Sequence, residues 1–311
     1  MAPSEPSRLE ATRYAVDERV ATITLDRPQR LNAWTAQMNA EYRTCLQWAT
    51  DDPDVRVVVV TGAGRGFCAG ADSDDLAGHA DRGSYRSWDT DTLPRPGYGV
   101  RPEFDAELAY HFGIPKPIIA AVNGPAAGIG FALSCYCDLR MAATEATFTT
   151  AHGRLGLPAA FGLAWLLPRL IGLSRALDLL LSSRTVSATE ALELGLVASV
   201  VPADQLTDRV TEYAHLLATS VSPASLAASK RQVYEAFHLT AAQSVDTAAA
   251  LLDPMMAGPD YREGVAALRE KRAPVFEGLR PEPPVPPADA SGPNPAGTVA
   301  PDDSGAPGSE A

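Results

Sequence analysis

Two apolar runs that each end in a glycine-rich turn constrain the fold of this chain most. "VRVVVVTG" (55–62) and "PIIAAVNG" (117–124) show no regular alternation of apolar and polar residues, which predicts strands buried on both faces of a parallel sheet. "VATITL" (20–25) adds a strand whose residues alternate between two faces. Parallel strands need long crossover connections, and residues 35–50 supply one as an amphipathic helix capped by Thr35. The sequence therefore predicts an α/β fold.

The rest of the chain divides by composition. Short strands are predicted at 139–143 and 147–150, and the pattern from about 207 to 276 is almost wholly helical. The stretch from Asp72 to Glu107 is polar and irregular, which is typical of a surface loop or lid. The end of the chain is rich in proline and lacks lysine and arginine, so we expect it to be disordered. Four segments are expected, in chain order: a flexible N-terminus at 1–13, a core at 14–206, a helical region at 207–280 and a disordered, proline-rich acidic tail at 281–311.

Charge and cysteine content exclude several classes of function. The 311 residues carry a formal net charge of −12, whereas nucleic-acid binding needs a clustered basic face. Cys45, Cys68, Cys135 and Cys137 have the spacing of neither a disulfide framework nor a zinc knuckle, so we expect reduced, buried thiols and no metal site. The sequence shows no signal peptide and no apolar run of membrane-spanning length. We therefore expect a soluble, cytoplasmic protein that binds neither nucleic acid nor membranes.

The two glycine-rich turns, "TGAGRGFCAGAD" (61–72) and "NGPAAGIG" (123–130), are candidates for a functional site. Neither matches a dinucleotide-binding fingerprint or a Walker A loop, and each alone reads as an ordinary turn from strand to helix. Together they say more, because each presents backbone N–H groups at a helix start. Two such turns on neighbouring strands can direct two N–H groups at one oxygen and so form an oxyanion hole.

A resemblance follows from five motifs in order. "FCAGAD", "PIIAAVNGPAAGIG", "CDLRMAATEATF", "LGLVASVVP" and "YREGVAALREKR" resemble the crotonase superfamily, the enoyl-CoA hydratase/isomerase family, and the resemblance runs from about Tyr14 to Phe276. It implies a crotonase-like spiral of ββα repeats with a C-terminal helical trimerisation region. It also implies an acyl-CoA thioester substrate, with coenzyme A as part of that substrate and no separate cofactor, and a homotrimer or a hexamer built as a dimer of trimers.

The resemblance assigns roles to individual residues. The two oxyanion donors are the backbone N–H groups of Ala71 and of Ile129, which follows Gly128 and stands where many relatives have another glycine. Lys271 matches a basic residue that reaches the CoA phosphates, commonly in a neighbouring subunit. The residues expected to bind substrate and CoA are Arg30, Ala69, Ala71, Asp72, Ser73, Gly128, Ile129 and Lys271.

The sequence departs from the family at its acidic positions. Hydratases of the family use two glutamates as general acid and base, and these positions hold Ala132 and His152. A third acidic position used by some relatives holds Ala160. The expected function is therefore acyl-CoA thioester processing related to that of enoyl-CoA hydratase/isomerase, without the two-glutamate hydration mechanism. The alternatives are a catalytically degenerate CoA-binding protein, or a hydrolase or C–C lyase that uses His152 as base.

His152, in "FTTAHGRLGL", is thus either a catalytic base or a structural histidine. A lone histidine is more often structural, but imidazole performs general acid–base chemistry near neutral pH. Asp74 and Asp75 are further candidates to reach the acyl group, although acids at a helix start are commonly solvated. The remaining candidates, for the wall of an acyl pocket or for packing of the long loop, are Tyr85, Trp88 and Tyr98.

Overall fold

The computed structural model of the protein describes residues 9–84, 104 and 106–279. It contains every strand predicted from the sequence and adds one before them, one between them and two after them. In chain order the strands are β1 (Thr12–Asp17), β2 (Val20–Leu25), β3 (Val57–Gly62), β4 (Ile118–Val122), β5 (Ala126–Ala127), β6 (Leu139–Ala143), β7 (Thr147–Thr149), β8 (Val186–Ser187) and β9 (Ser199–Val201).

Helices connect these strands and make up the C-terminal part of the chain. The α-helices are α1 (Ala36–Asp51), α2 (Ser73–Arg82), α3 (Ile129–Tyr136), α4 (Leu163–Ile171), α5 (Leu173–Ser182), α6 (Ala188–Glu193), α7 (Leu206–Ser220), α8 (Pro223–Glu235), α9 (Ala241–Met256) and α10 (Pro259–Glu270). The short 3-10 helices are Pro28–Arg30, Ala109–Gly113, His152–Leu155, Ala203–Gln205 and Ala236–His238. As the sequence predicts, the Thr35 hydroxyl caps α1 by accepting the Met38 N–H.

Two sheets organise the described residues. The larger has the strand order β1-β2-β3-β4-β6-β9, and the smaller has the order β5-β7-β8. Every pair in the larger sheet is parallel except β1 with β2. All five residues of β4 are buried, as expected for a central parallel strand.

A repeated ββα unit relates the two sheets. In the units β4–β5–α3 and β6–β7–α4, the first strand belongs to the larger sheet and the second to the smaller. The unit that starts with β3 follows the same plan, because Cys68 forms an isolated parallel bridge with Ala126 of β5 before α2 begins. This arrangement confirms the predicted α/β fold of ββα repeats.

The structure corrects two expectations about irregular segments. The stretch after Asp72 begins with α2, which the Asp72 side chain caps and Gly83 ends in the left-handed region. None of the residues of α2 is buried, and the sequence accordingly shows no strong apolar stripe there. At the N-terminus, β1 begins at Thr12, inside the stretch expected to be flexible, because Glu41 accepts hydrogen bonds from the N–H groups of Ala11 and Thr12.

The first of the C-terminal helices lies against the larger sheet, and a buried ion pair anchors the second. Helix α7 packs on the sheet through Leu206, Val210 and the alanines that follow on the same face. On α8, Lys230 Nζ lies 2.8 Å from Asp138 Oδ2, and the Tyr234 hydroxyl donates to Asp138 Oδ1 at 2.8 Å. In the part of the chain that the structure describes, no helix is both long and apolar enough to cross a bilayer.

Candidate active site

Three aligned backbone segments build the candidate site. Cys68 pairs with Ala126, and Ala126 pairs with Phe148, all in parallel. The chain therefore leaves the three segments in the same direction and at the same edge. Ala71 and Ile129 come three residues after their paired positions, and the His152 backbone follows four residues after its own. The register thus brings the two predicted donors and His152 to one edge.

The N–H groups of Ala71 and Ile129 are unpaired within the described residues. Ala71 bridges to Trp34, but the bridge uses the Gly70 carbonyl and the Asp72 N–H, so the Ala71 N–H points away from Trp34. Ile129 is the first residue of α3, where backbone N–H groups have no partner inside the helix. Neither N–H donates a hydrogen bond to a described residue. The arrangement fits two donors that await an external oxygen.

Glycines make the close approach of the two turns possible. Gly70 and Gly128 precede the two donors with φ of +108° and +52°, which residues with a Cβ rarely adopt. A Cβ on Gly128 would lie 3.8 Å from the Gly70 Cα. A Cβ on Gly130 would lie 2.1 Å from the Cys68 carbonyl oxygen, so no side chain fits there. The glycines therefore allow the two turns to lie against each other.

An arginine–aspartate cluster lies beside the first donor. The Asp72 carboxylate is within 2.9 Å of Arg27 Nη1 and 3.0 Å of Arg30 Nη2. Arg30 also donates to the Ser73 hydroxyl and to Asp74. Burial alone would raise the pKa of the Asp72 carboxyl, but the hydrogen bond from the Asp74 N–H and the two arginines lower it to about 2. The predicted residues Arg30, Asp72 and Ser73 therefore lie together, with Arg27 as a member that the sequence reading missed.

His152 is buried at the start of its 3-10 helix, with 7% of its surface exposed. Its Nε2 lies 3.1 Å from the Leu180 carbonyl on α5. A carbonyl only accepts, so Nε2 carries the proton and Nδ1 keeps its lone pair in the neutral ring. Nδ1 is buried without a hydrogen-bond partner among the described residues. The preceding Ala151 has a φ of +60°, a costly conformation for alanine that often occurs at functional sites.

The other predicted positions differ in their surroundings. Ala132 is fully buried on α3, and Ala160 is half-buried before α4. Lys271 ends α10 in the left-handed conformation and is exposed. The Asp74 side chain is 90% exposed. Asp74 and Asp75 both lie in the first turn of α2, where the helix dipole stabilises carboxylates. Tyr85, Trp88, Tyr98 and the tail at 281–311 lie outside the described residues.

The side chain of Ile129 does not occupy the open edge. It is 2% exposed and belongs to the main core, so its bulk lies in the protein interior. Ala69, also predicted for the groove, donates its N–H to the Leu31 carbonyl. That bond fixes the first turn against the segment that carries Arg30.

The sequence reading missed an aromatic-walled cavity of about 240 Å³. Its lining comes from four separate elements and residue 104, so no local sequence motif indicates it. The lining residues are Phe104, Ala109, Phe112, Tyr136, Gly162, Trp165 and His238. Among the residues that the structure describes, no group of His, Cys, Asp and Glu side chains could hold a metal ion, and all four cysteines are free and buried.

Known proteins that resemble the chain agree with this architecture. A family model described as enoyl-CoA hydratase/isomerase matches residues 15–280. The 1,2-epoxyphenylacetyl-CoA isomerase of Escherichia coli K12 is 38% identical, over 85% of this chain and 97% of the relative. Solved structures of enoyl-CoA hydratases agree too. The one from Bacillus anthracis has a TM-score of 0.76 at 29% identity, over 87% of this chain and 100% of the other.

A second solved structure, an enoyl-CoA hydratase from Mycobacterium tuberculosis H37Rv, has a TM-score of 0.74 at 26% identity. It covers 86% of this chain and 99% of its own. Sequence, fold and the paired donor turns therefore lead to one assignment. The chain belongs to the enoyl-CoA hydratase/isomerase family of the crotonase superfamily.

Proposed function

We propose that the protein binds an acyl-CoA thioester and stabilises the enolate formed when a proton leaves the carbon next to the carbonyl. The backbone N–H groups of Ala71 and Ile129 hold the thioester oxygen, and Nδ1 of His152 accepts the proton. Return of the proton to a different carbon completes an isomerisation. Coenzyme A enters as part of the substrate, and the proposal needs no further cofactor.

The pair of unpaired N–H groups carries the proposal. Two donors on adjoining turns are fixed before substrate arrives, so they lose little freedom when negative charge develops on the oxygen. One such donor is typically worth about 10²–10³-fold in rate. The buried, unpartnered Nδ1 of His152, on the segment aligned with both turns, is the proton acceptor in this proposal.

Isomerisation is favoured over hydration by the missing acids. Hydration needs a group to activate water and a group to protonate carbon, and this chain has Ala132, His152 and Ala160 at the acidic positions of its relatives. A single base can both remove and return a proton in an isomerisation. The relative from Escherichia coli is itself named an isomerase.

The test is exchange of α-protons for deuterium in saturated acyl-CoA thioesters, followed by NMR in D₂O. This exchange reports enolate formation without requiring a complete reaction. Ile129→Pro deletes the N–H at the first position of α3, where the backbone of proline fits, and should slow exchange by about 10²–10³-fold. Because the Ile129 side chain is buried in the core, a melting curve must show that this variant is folded. Ile129→Val keeps the N–H and is the matched control, with exchange close to that of the unmodified protein.

Two results would overturn the proposal. One is the absence of exchange with every acyl-CoA tried, and the other is an Ile129→Pro protein that is folded and exchanges at the normal rate. Hydration of crotonyl-CoA should be slow by about 10²–10⁴-fold relative to two-glutamate relatives, because a general acid–base group contributes about that factor.

A second candidate is a CoA-binding protein without catalysis. The non-acidic residues Ala132, His152 and Ala160 favour it, since they remove the acids that relatives use. It predicts CoA binding with no exchange and no turnover on any acyl-CoA. The same NMR experiment, combined with calorimetric titration of CoA, separates it from the first proposal.

CoA recognition and assembly complete the proposal. Arg30, next to the first donor, lines the CoA groove, and Lys271 of a neighbouring subunit reaches the CoA phosphates in a homotrimer or a dimer of trimers. The exposure of Lys271 supports a role outside its own chain. Lys271→Glu should weaken CoA binding while leaving the fold intact, as checked by titration and thermal melting.

A further inference from the structure

We propose that the aromatic-walled cavity receives a planar aromatic ring carried by the acyl group, so that the substrates are aryl-acyl-CoA thioesters with a short spacer. This inference rests on the proposed acyl-CoA function and names its substrate class. In the described residues the cavity measures about 240 Å³. An apolar cavity of roughly 150 Å³ already accepts benzene, so the space is sufficient for a substituted ring.

The cavity walls are rings set at different angles. The Phe112 and Tyr136 centroids are 5.2 Å apart, and Phe104 meets Phe112 edge to face at 6.0 Å. Trp165 lies 6.4 Å from both Phe112 and His238. Such walls offer faces and edges to a further ring, and aromatic pairs at these separations gain energy beyond their buried area. A flexible alkyl chain gains no such contribution.

Helix α3 connects the second proposed donor to the cavity. Ile129, Ala132 and Tyr136 occupy positions i, i+3 and i+7, which share a helix face. The axial distance from the first to the last is about 10 Å, and the Tyr136 side chain leans back toward the N-terminus of the helix. Ala132 stands between them with a methyl group where hydratases have a glutamate. Tyr136, a cavity wall, thus stands about two turns of α3 from the second proposed donor, a distance that an acyl group with a short spacer can span.

The walls are held in place, which favours recognition of one shape. In the 3-10 helix Ala109–Gly113, Ala109 and Phe112 share the cavity face, while His111 points into the core and contacts the Tyr42 hydroxyl at 2.8 Å. Phe112 stacks on Tyr234 with centroids 3.9 Å apart, and Tyr234 is fixed by its hydrogen bond to Asp138.

A second constraint acts on the opposite wall. The Tyr136 hydroxyl donates to the Phe161 carbonyl. Gly162 has a φ of +67°, and a Cβ there would lie 2.6 Å from the Tyr136 hydroxyl oxygen. A residue other than glycine would push the ring out of the wall, so the cavity depends on this glycine.

The experiment compares two CoA thioethers of equal carbon count by calorimetric titration: S-(3-phenylpropyl)-CoA and S-(3-cyclohexylpropyl)-CoA. Thioethers lack the carbonyl, so their binding does not depend on the oxyanion hole. The planar ring should bind about fivefold more tightly, because the saturated ring is thicker and makes no aromatic contacts. Ala109→Leu fills the cavity and should weaken phenylpropyl binding by about tenfold, while affinity for CoA alone is unchanged.

Matched variants and outcomes keep the inference separate from the proposed function. Ala249→Leu adds the same side chain at an exposed position of α9 and should change neither affinity. Trp165→Leu removes a wall ring and should abolish the preference for the phenyl ligand. It is the second cavity variant and replaces Ala109→Leu if that protein does not fold. Equal or tighter binding of the cyclohexyl ligand, binding of neither thioether, or an unchanged preference in both cavity variants would overturn the inference. Loss of deuterium exchange on all acyl-CoAs, with the phenyl preference retained, would instead overturn only the enolate proposal.

Discussion

At the scale of single residues, positive-φ backbone positions do most of the positioning in this site. Gly70 and Gly128 turn the chain just before the two N–H donors, and Ala151 does so before His152. The two glycine turns leave the N–H groups of Ala71 and Ile129 without a partner among the described residues, where a regular strand would pair them with its neighbour. The left-handed alanine costs of order 1–3 kcal/mol, which the surrounding hydrogen bonds of the His152 turn must offset.

The first prediction concerns His152. His152→Gln keeps a side-chain N–H that can donate to the Leu180 carbonyl but has no nitrogen that accepts a proton. If Nδ1 is the base, deuterium exchange should fall by about 10²-fold or more, with little change in melting temperature. CoA affinity should persist in the same variant. Exchange rates, melting curves and CoA titration on one preparation provide the measurement.

The companion variant is His152→Ala, which removes both the base and the contact with Leu180. A structural histidine predicts a lower melting temperature in this variant, since loss of a buried hydrogen bond costs about 1–3 kcal/mol, and normal exchange in His152→Gln. Normal exchange in folded His152→Gln would end the catalytic assignment.

At the scale of elements, the start of α2 links the first oxyanion donor to the arginine cluster. Asp72 follows Ala71 directly, caps α2 by accepting the Asp74 N–H, and contacts Arg27 and Arg30. One carboxylate therefore fixes the helix start, the turn and two basic side chains. The stability of this element depends on Asp72 remaining ionised.

The second prediction follows from the lowered pKa of Asp72. In an unfolded chain an aspartate has a pKa of about 3.9, whereas here the pKa is about 2. The ionised carboxylate thus stabilises the fold fully above about pH 4, and this contribution is lost as the pH falls toward 2. Asp72→Asn keeps a good helix cap but lacks the charge. Its melting temperature should be lower than that of the unmodified protein at pH 7, and the difference should shrink by pH 3.

Asp74→Asn is the control for this prediction. The Asp74 side chain is 90% exposed, and exposed ion pairs contribute little to stability. It should melt close to the unmodified protein at both pH values. A difference between Asp72→Asn and the unmodified protein that is constant from pH 7 to pH 3 would contradict the role given to the charge.

Sequence patterns predicted the elements that bury apolar residues and missed a helix that buries none. The uniformly apolar β3 and β4 and the capped α1 were predicted with nearly the observed bounds. Helix α2 was missed because it buries none of its residues and therefore shows no apolar stripe. Only its capping residues indicate a helix. The two oxyanion donors came from a resemblance and from glycine spacing. The aromatic cavity could not be predicted, because its lining residues come together only through tertiary packing.

At the scale of the whole molecule, α5 and the segment before it expose several large apolar side chains. Leu173, Leu177 and Leu181 repeat every four residues along α5 and are 65%, 44% and 79% exposed. Leu155 and Leu157, beside this helix, are 56% and 51% exposed. Contiguous apolar patches of this kind mark interaction sites. The same helix carries the Leu180 carbonyl that holds His152, so a partner on its outer face would steady the candidate base.

The C-terminal helices show the same property. Leu216 and Val233 are 52% and 58% exposed, and Phe237 is 37% exposed. Leu217 and Leu226 are half-buried. Exposure of these side chains in the single chain is what contacts between subunits require.

The last prediction is that the protein assembles through these apolar surfaces. A chain that ends at Arg280 should still form a trimer or hexamer in light scattering and should keep its exchange activity. The candidate site and the exposed apolar side chains all lie before that residue. Leu177→Glu combined with Leu181→Glu introduces charges into the α5 surface, where burying an unpaired charge is costly, and should dissociate the assembly. Val16→Glu, at a 44% exposed apolar position of the edge strand β1, is the matched control and should leave the mass unchanged. A monomeric mass for the unmodified protein would contradict assembly outright, whereas an unaltered oligomer in the double variant would show that α5 is not part of the interface.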